Sequence, residues 1–378
     1  MSSDTIPETM QAVVQNTSAR EYRQTSPIFS GTTHPEMKAS VQEVKVPQLD
    51  DNDVLVRVKF AAQNPTDWKH SANMSPPGAI LGCDFSGTVV KLGRNLKNPN
   101  IQLGDQVAGC VHGGLFKDKG SYAQYLRAES DLIFKVPESI NMEQAATFGV
   151  AWVTTCQAMI SSQHKPFPPE KAAEGDWYVI YGASSSVGLF AVSLGKAMGY
   201  RIMAICSPHS YDLVRSYGAD EVLDYHEGDP GVGEAIKRIS GGGVINGFDT
   251  ISEGASFKII LGGFKENAGG QLNVILPAPQ ETYEIRKDVK VVSTLMYTLF
   301  GKAFNITPTA YKPNVVAEVE GDRDFGVEIN KHTPELITKY GIKPNPVRIR
   351  GTLHDVTAGW EDMKTGKVSG VKLVYKIA

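Results

Sequence analysis

Short apolar runs separated by polar turns fill the first 110 residues of the chain. They lie at residues 11–14, 41–44, 54–60, 79–82, 87–90 and 106–109. The run at 54–60 alternates apolar and polar side chains, which is the period of a half-buried strand. Many short strands divided by glycine and aspartate turns predict a compact domain built like a β-barrel.

The pattern changes at residue 177, where predicted strands and helices begin to alternate. The strands are expected at residues 177–181, 201–206, 221–225, 247–251, 271–276 and 289–292. Six strands joined by helices are typical of a doubly wound parallel sheet. A helix at 143–162 leads into this region. After Lys302 the alternation ends, and helices at 333–340 and 358–365 with strands at 347–350 and 371–377 are expected to return to the first domain.

Residues 182–188, Gly-Ala-Ser-Ser-Ser-Val-Gly, form a tight turn between the first of these strands and an apolar helix. Small residues at the start of a helix are typical of a pyrophosphate site, because free N–H groups and the helix dipole favour an anion there. Serines replace the middle glycine of G-x-G-x-x-G, while Gly188 would let helix and strand approach closely. An ordinary β-α connection remains open. A hydrolase nucleophile elbow fits less well, since G-x-S-x-G needs a glycine where Ser186 stands.

The second strand of the alternating region, at residues 201–206, ends without an acidic residue. It runs into Cys206-Ser207-Pro208-His209-Ser210-Tyr211. An NAD site has Asp or Glu here, which accepts a hydrogen bond from the ribose 2′-hydroxyl and would repel a 2′-phosphate. Hydroxyls and a histidine tolerate the phosphate, and Ser207 or Ser210 is placed to cap the next helix. NADPH is therefore predicted over NADH, although no arginine stands nearby in the sequence.

The composition is that of a globular protein of 378 residues, long enough for two domains, with 41% hydrophobic and 21% charged residues. A net charge of −3 argues against nucleic-acid binding. The four cysteines form no C-x-x-C pair, which predicts a reducing, cytoplasmic location without disulfides or structural zinc. The polar N-terminus is unlike a signal peptide, and residues 145–160 are too short and rich in threonine to span a bilayer.

Several stretches resemble the medium-chain dehydrogenase/reductase superfamily, in its zinc-independent quinone-reductase-like branch. They are residues 64–69, 82–87, 104–107, 120–125 and 366–375. They come in the order of the family and cover nearly the whole chain. Residues 206–209 and 297–301 are most similar to the fungal trans-acting enoyl reductases, which supply the missing enoyl reduction to an iterative polyketide synthase.

The resemblance implies an α/β fold of two domains. Residues 1–150 and 306–378 would form a GroES-like β-barrel catalytic domain, and residues 151–305 a Rossmann domain that binds NADPH. The implied activity is hydride transfer to Cβ of an α,β-unsaturated polyketide thioester on a carrier protein, in fungal secondary metabolism. Two alternatives stay open: a stand-alone quinone or enone reductase, and a non-catalytic NADPH-binding partner of a synthase.

The chain departs from the zinc-dependent members of the superfamily. Those members carry a catalytic Cys where this chain has Asn64 and a His where it has Cys83, and the third ligand position falls near Val150. Zinc needs its thiolate and imidazole ligands together, so no metal is predicted. Reduction of a conjugated C=C does not need a Lewis acid, because hydrogen bonds can hold the enolate charge.

The resemblance also places the site residues. Lys69 is the predicted catalytic residue, which would contact the cofactor, stabilise the enolate or help deliver a proton; a solvated surface lysine is the alternative. The predicted cofactor-binding residues are Asn64, Pro65 and Thr66 beside the nicotinamide, Ser184, Ser185, Ser186 and Val187 under the pyrophosphate, Ser207, Pro208, His209 and Ser210 around the 2′-phosphate, Tyr225 near the adenosine, Leu276 and Pro277 after the fifth strand, and Val368 and Ser369 in the closing motif. Tyr225 fits a core position equally well.

The predicted substrate channel begins the helix that links the domains. Its residues are Phe148, Gly149, Val150, Ala151, Trp152, Val153, Thr154 and Thr155. Taken alone, the apolar stripe of these residues would indicate a helix face buried in the hydrophobic core.

We expect a monomer whose partner is the carrier-bound acyl substrate of an iterative polyketide synthase, with no role for nucleic acid or a membrane. Residues 339–378 hold eight lysines and arginines against three acidic residues. Carrier proteins are usually acidic, so this surplus predicts a docking face, and an ordinary solvated surface fits equally well.

Overall fold

The computed structural model describes residues 5–17, 39–306 and 315–378, which group into two compact units. The described residues of Met1–Val150, Tyr297–Pro334 and Pro346–Ala378 form the first unit, and Ala151–Met296 with Glu335–Asn345 forms the second.

A seven-stranded sheet is the frame of the first unit. Its strands are β3 (Asp53–Ala62), β4 (Asp84–Leu92), β5 (Gln106–Cys110), β6 (Tyr125–Glu129), β7 (Ile133–Lys135), β16 (Val347–Gly351) and β17 (Lys372–Lys376). The order is β16-β17-β3-β4-β5-β7, with β6 paired to β3. The strands expected to return from the C-terminal part of the chain are therefore part of this sheet.

The described part of the first unit also contains two antiparallel ribbons and four α-helices. The ribbons are β1 (Thr9–Gln15) with β2 (Ala39–Lys45), and β14 (Phe304–Asn305) with β15 (Val315–Val316). The helices are α1 (Pro65–Asn73), α2 (Met142–Ala145), α9 (Asp322–Thr338) and α10 (Val356–Lys364).

Strand β3 carries the core of the first unit because its alternating side chains are buried on both faces. Val54, Val56 and Val58 pack with Phe85 on one face. Leu55 packs on the other face in a separate cluster. Burying both faces stabilises the strand in the middle of the sheet, where it pairs with β4, β6 and β17.

A six-stranded parallel sheet is the frame of the second unit. Its strands are β8 (Trp177–Tyr181), β9 (Arg201–Cys206), β10 (Glu221–Asp224), β11 (Asn246–Asp249), β12 (Gln271–Val274) and β13 (Lys290–Ser293). The order β10-β9-β8-β11-β12-β13 reverses at β8, as in a doubly wound fold. The prediction of six parallel strands is confirmed.

Five helices described in the second unit lie between these strands in the sequence. They are α4 (Ser186–Ala197), α5 (Tyr211–Tyr217), α6 (Gly228–Ser240), α7 (Ser256–Gly262) and α8 (Thr282–Ile285). The apolar core on one side of the sheet joins Val179, Met203 and Leu272 to Val232 of α6 and Phe257 of α7. The helices thus bury the sheet, as its near-continuous apolar strands require.

The helix predicted at 143–162 is instead divided. Helix α2 ends at Ala145, and α3 (Val150–Cys156) follows and runs into a π-helical segment, Gln157–Ser162. The division lies at Gly149, where a Cβ atom would come 2.1 Å from Oδ1 of Asp84. The Val150 N–H donates to that same oxygen at 2.7 Å, so Asp84 fixes where α3 begins.

The strand predicted at residues 79–82 was also wrong. Ile80 makes only an isolated antiparallel bridge to Val14. Gly82 has a φ of +87°, and a Cβ there would lie 2.6 Å from Tyr122. A left-handed residue in so crowded a position prevents a regular strand.

The prediction ended the Rossmann domain at residue 305 and returned the chain to the catalytic domain at residue 306. The two observed units differ from this division in two respects. Residues from Tyr297 onward group with the first unit, where the Tyr297 hydroxyl bonds Thr66. Residues 335–345 group with the second unit, where the Tyr217 hydroxyl donates to the carbonyl of Pro344. None of the helices in the described ranges is long and apolar enough to cross a membrane.

Candidate functional site

The turn between β8 and α4 packs the start of the helix closely against the end of the strand. Ser185 is the N-cap of α4, and its hydroxyl accepts a hydrogen bond from Gly188 N–H at 2.9 Å. A Cβ on Gly188 would lie 2.3 Å from the carbonyl oxygen of Gly182, which has a φ of +71°. Ser184, Ser186 and Val187 are half-buried. The first N–H groups of a helix have no intrahelical partner, so this turn offers donors to an anion.

The segment after β9 differs from the prediction in its capping. Ser207 is half-buried, Pro208 and His209 are exposed, and Ser210 is buried. Neither serine hydroxyl makes a capping hydrogen bond. The chain enters α5 through a 3₁₀ turn in which Ser210 N–H bonds the Ser207 carbonyl at 2.9 Å, so the backbone already satisfies this donor.

Two charged residues that the sequence reasoning missed lie near the end of β9. Asp224 is the register partner of Cys206 across the β9–β10 pair. Burial and the Asp224 charge raise the pKa of Cys206 to about 11, while the charge of Arg215 opposes this shift. Arg215 extends over the ring of Tyr211, with its guanidinium carbon 5.6 Å from the ring centroid. Helix periodicity would have placed Arg215 one turn after Tyr211; the Asp224 register is visible only in the sheet.

The carboxylate of Asp224 is occupied locally. Its Oδ1 accepts from the backbone N–H of His226 at 3.0 Å and lies 2.5 Å from His226 Nδ1. These hydrogen bonds lower the pKa of Asp224. Oδ1 of Asp224 is therefore already engaged by His226, so Asp224 does not simply replace the acid of an NAD site.

The side chain of Tyr225 is exposed rather than part of the core. It is 37% accessible and stacks on His226, with ring centroids 4.0 Å apart. Leu276 is half-buried and Pro277 is exposed, and both follow β12, which ends earlier than predicted, at Val274. All three residues follow carboxyl ends of strands, where doubly wound sheets bind ligands.

Helix α1 of the first unit begins at a buried polar centre. Asn64 is its N-cap, Pro65 is at the first helical position, and Asn64 N–H donates to Oδ2 of Asp67 at 2.7 Å. The Asn64 side-chain oxygen accepts from the Lys372 ammonium. Lys372 lies 3.4 Å from Oδ2 of Asp84, and both side chains are almost fully buried. Opposite charges therefore balance one another beneath the start of α1.

Burial also changes the acidity of Asp67. Desolvation, opposed by hydrogen bonds from Asn64 N–H and the Tyr122 hydroxyl, raises its pKa to about 7. The Tyr122 hydroxyl donates to Oδ2 of Asp67 at 2.7 Å. Desolvation raises the pKa of Asp84 too, although the Lys372 charge opposes it. Asp67 can therefore hold or release a proton near pH 7.

A chain of hydrogen bonds joins Thr66 and His70 of α1 to two distant parts of the first unit, at Gly113 and Tyr297. His70 Nδ1 lies 3.1 Å from the carbonyl oxygen of Gly113, and its Nε2 lies 3.0 Å from the Thr66 hydroxyl. Desolvation lowers the pKa of His70 to about 4, so the ring is neutral near pH 7. A carbonyl only accepts, so Nδ1 carries the proton and Nε2 accepts from Thr66. Thr66 in turn accepts from the Tyr297 hydroxyl at 2.8 Å.

Lys69 lies on the same helix as Thr66. It is half-buried, and its ammonium is 5.7 Å from the centroid of the Trp68 ring. The ammonium of Lys364 is 5.4 Å from the same ring. Val368 and Trp68 are both partly buried and pack against the same core cluster, and Ser369 is exposed.

The predicted channel residues are mostly buried. Phe148, Ala151 and Trp152 are each 1% exposed, and Thr155 is 0% exposed. Gly149, Val153 and Thr154 are buried as well, and Val150 is half-buried. This burial favours the core interpretation, and contact with an acyl chain stays a prediction.

The cationic residues of 339–378 are mostly engaged within the protein. Lys372 is buried, Arg350 pairs with Asp362 at 2.8 Å, and Lys364 pairs with Glu361 at 2.7 Å. Lys339 pairs with Glu335, and Lys343 donates to the Ser216 carbonyl. The sequence surplus therefore overstates the unpaired positive charge on the surface.

Comparisons with known proteins match both units. Residues 50–138 match the alcohol dehydrogenase GroES-like domain, and residues 186–298 match the zinc-binding dehydrogenase family. Trans-enoyl reductase ACTTS2 of Alternaria alternata is 39% identical over 345 residues, covering 90% of this chain and 96% of that protein. Trans-enoyl reductase TOXD of Cochliobolus carbonum is 34% identical over 298 residues, covering 78% and 97%.

A solved structure agrees on the fold. The quinone oxidoreductase from Coxiella burnetii covers 98% of this chain and 100% of its own, with a TM-score of 0.69 and 22% identity. The predicted fold class, a GroES-like domain with a doubly wound Rossmann domain, is confirmed.

The zinc in one family name does not fit the residues present. Within the described ranges, no group of three or more His, Cys, Asp or Glu side chains could hold a metal ion. At Asn64, where zinc-dependent members have a ligand, the contacting group is the Lys372 ammonium. The Asn64 oxygen is therefore already occupied, and neither group is the thiolate or imidazole that zinc usually takes.

A nicotinamide cofactor, which the family also implies, does fit. A close-packed turn at Gly182 and Gly188 leads directly into α4, and the N-terminal N–H groups and dipole of a helix suit a pyrophosphate.

Proposed function

Because the chain belongs to the medium-chain dehydrogenase/reductase superfamily and is an oxidoreductase acting on a C=C bond, we propose that it is a trans-acting enoyl reductase that uses NADPH. Its substrate would be an α,β-unsaturated polyketide thioester on the carrier protein of an iterative synthase, in fungal secondary metabolism. The observation that most supports this proposal is the 39% identity to a trans-enoyl reductase over 96% of that protein's length. We also propose a cytoplasmic monomer.

The second unit supports NADPH as the cofactor. Ser184, Ser185, Ser186 and Val187 would hold the pyrophosphate at the start of α4. Ser207 to Ser210 would surround the 2′-phosphate, and Arg215 adds the cation that the sequence reasoning missed. Tyr225, with its exposed ring, would stack on the adenosine.

The first unit supports the chemistry. When bound, the cofactor supplies the hydride that Cβ of the substrate accepts. The Lys69 ammonium would stabilise the enolate oxygen or help deliver the proton to Cα. Asn64, Pro65 and Thr66 would position the nicotinamide, and the bonds of Thr66 to His70 and Tyr297 hold its hydroxyl in one orientation. Leu276, Pro277, Val368 and Ser369 would complete the cofactor contacts.

The test is NADPH consumption with product analysis by mass spectrometry. The substrates are an enoyl group on an acyl carrier protein, the same enoyl group on a simple thioester, and a panel of quinones and free enones. Turnover of the carrier-bound enoyl group with higher kcat/KM than the simple thioester supports the proposal. Turnover of quinones or enones alone would indicate a stand-alone reductase. NADPH that binds but is not consumed with any substrate would indicate a non-catalytic partner.

A further inference from the structure

A small cavity lies within the first unit. Its volume is about 40 Å³, and its walls include the rings of His112, Phe116, Phe300 and Phe304. Since one water-sized sphere occupies about 10–15 Å³, the cavity has room for about three or four non-hydrogen atoms. It is therefore too small for a whole acyl chain but large enough for a short part of one.

The ring of His112 is held in place by aromatic neighbours. It stacks on Tyr297 with a centroid distance of 4.1 Å and an interplanar angle of 15°. Phe304 meets it edge-on at 4.7 Å. These contacts fix the ring without using its nitrogen atoms.

One nitrogen of His112 lacks a partner. The side chain is 6% exposed, and its Nε2 is buried with no hydrogen-bond partner among the described residues. A buried polar atom without a partner destabilises the protein, so such an atom commonly marks a place where another group binds. Desolvation, followed by electrostatic interactions with His70 and Lys119, lowers the pKa of His112 to about 3. The neutral ring offers Nε2 as donor or acceptor, according to its tautomer.

The charges that line the cavity are already paired. Glu129 lies 3.9 Å from Lys119 and 3.1 Å from Lys302. Arg127 contacts Asp50 at 2.5 Å and Asp53 at 2.8 Å. A charged ligand would have to break these pairs, whereas a neutral oxygen needs only the free nitrogen.

We propose that this cavity receives a short, neutral, oxygen-bearing part of the acyl substrate, and that His112 is a specificity-determining residue that hydrogen-bonds the oxygen. The occupant would be a keto or hydroxyl group with one to three attached carbons, and the aromatic walls would contact those carbons. The inference rests on the proposed function and deepens it by naming the substrate class.

The experiment compares matched enoyl thioesters that differ by a single oxygen. One series carries a keto or hydroxyl group at successive positions along the chain, and the other carries a methylene there. At the fitting position, kcat/KM for the oxygenated substrate should exceed that for its deoxy partner by about ten-fold or more, since leaving a buried polar atom unpaired is costly.

Three variants assign the preference to His112. His112→Phe keeps the stacking and should reduce the preference to about one, through loss on the oxygenated substrate. His112→Gln restores a hydrogen-bonding group and should recover part of the preference. Phe116→Leu, the control, changes a wall without changing hydrogen bonding and should affect both substrates alike.

The outcomes separate this inference from the function on which it rests. Reduction of both series at equal rates, or a preference that survives in His112→Phe, would overturn the inference, with water alone filling the cavity. Failure to reduce either series while NADPH binds would overturn the proposed function, and the inference with it. If His112→Phe does not fold, the test compares the oxygenated-to-deoxy ratio of kcat/KM in the wild type with that in His112→Gln. Equal rates on both series in the wild type would then overturn the inference.

Discussion

The hydroxyl of Tyr297 donates a hydrogen bond to the hydroxyl of Thr66, with 2.8 Å between the oxygens. The direction of this hydrogen bond follows from the other end of the hydrogen-bond chain. There the Gly113 carbonyl can only accept, so Nδ1 of His70 carries the proton. Tyr297 is 5% exposed, and desolvation raises its pKa well above the ordinary value. The phenol therefore stays protonated and orients a residue of the proposed nicotinamide site.

Replacing Tyr297 with phenylalanine should destabilise the protein by about 1 kcal/mol or more, because the Thr66 oxygen loses its donor. The free energy of unfolding from urea titration measures this. Tyr283→Phe is the matched control, since Tyr283 is 39% exposed, and its effect should stay within about 0.5 kcal/mol. Equal losses in both variants would show that the Tyr297 hydrogen bond contributes nothing specific.

Protonation of His70 should destabilise the protein as the pH falls. Its pKa is about 4 in the folded protein against an ordinary value of 6.5. Between these values the unfolded chain binds more protons than the folded one, so stability falls as pH decreases through that window. Asp67, with its pKa raised to about 7, acts in the opposite direction over the same window.

The His70→Gln variant isolates this contribution, because glutamine hydrogen-bonds but does not titrate. Between pH 7 and pH 5 the wild type should lose about 2 kcal/mol more unfolding free energy than the variant. Urea titrations at both pH values provide the measurement. A parallel pH dependence in the two proteins would contradict a depressed pKa at His70.

The sequence predicted those parts of the site that depend on neighbouring residues. Strands β8 and β9 have the predicted bounds, because an apolar run between turn residues is a local signal. The role of Gly188 was also accessible, since close packing of helix and strand at this turn leaves no room for a Cβ.

The missed features depend on residues that are far apart in the sequence. Thr66, Gly113 and Tyr297 meet only because three separate segments of the first unit pack together. Only one contact of this hydrogen-bond chain is local: His70 lies four residues after Thr66, on the same helix face. Asp224 reaches the end of β9 through strand register, which a single sequence does not reveal.

NADPH should bind more tightly than NADH. Ser207→Asp should weaken NADPH more than NADH, because a carboxylate repels the 2′-phosphate. Arg215→Ala should raise the Kd for NADPH by about ten-fold and leave that for NADH nearly unchanged. Fluorescence titration with both cofactors measures these constants.

Arg201→Ala is the control for the cofactor experiment. Arg201 begins β9, at the opposite end of the strand from Cys206. Its guanidinium carbon lies 4.0 Å from the centroid of the Trp177 ring. Its loss should leave the ratio of the two constants unchanged. Similar affinities of the wild type for NADPH and NADH would remove the basis of this prediction.

Activity should not depend on zinc. Asn64 stands where a zinc-dependent relative has a ligand; its amide is not a zinc ligand of the usual kind, and its oxygen already accepts a hydrogen bond from the Lys372 ammonium. Dialysis against a chelator should leave kcat unchanged, and elemental analysis should find far less than one zinc per chain. Stoichiometric zinc, with activity lost on chelation and restored by zinc, would refute the prediction.

Lys69 should contribute to turnover, whereas Lys364 should not. The two ammonium groups lie 5.7 and 5.4 Å from the centroid of the same Trp68 ring, which makes them a matched pair. Methionine at either position keeps an apolar stem over the indole and removes the charge. Lys69→Met should lower kcat by about a hundred-fold, the usual loss for a group that transfers a proton or stabilises developing charge.

The Lys364→Met variant should stay close to wild type, because Lys364 pairs with Glu361 on the surface of α10. Measuring kcat and the Kd for NADPH together distinguishes the proposed roles of Lys69. A loss confined to kcat indicates enolate stabilisation or proton delivery, whereas a matching rise in the Kd indicates a cofactor contact. Equal effects of the two variants on kcat would make Lys69 an ordinary surface lysine.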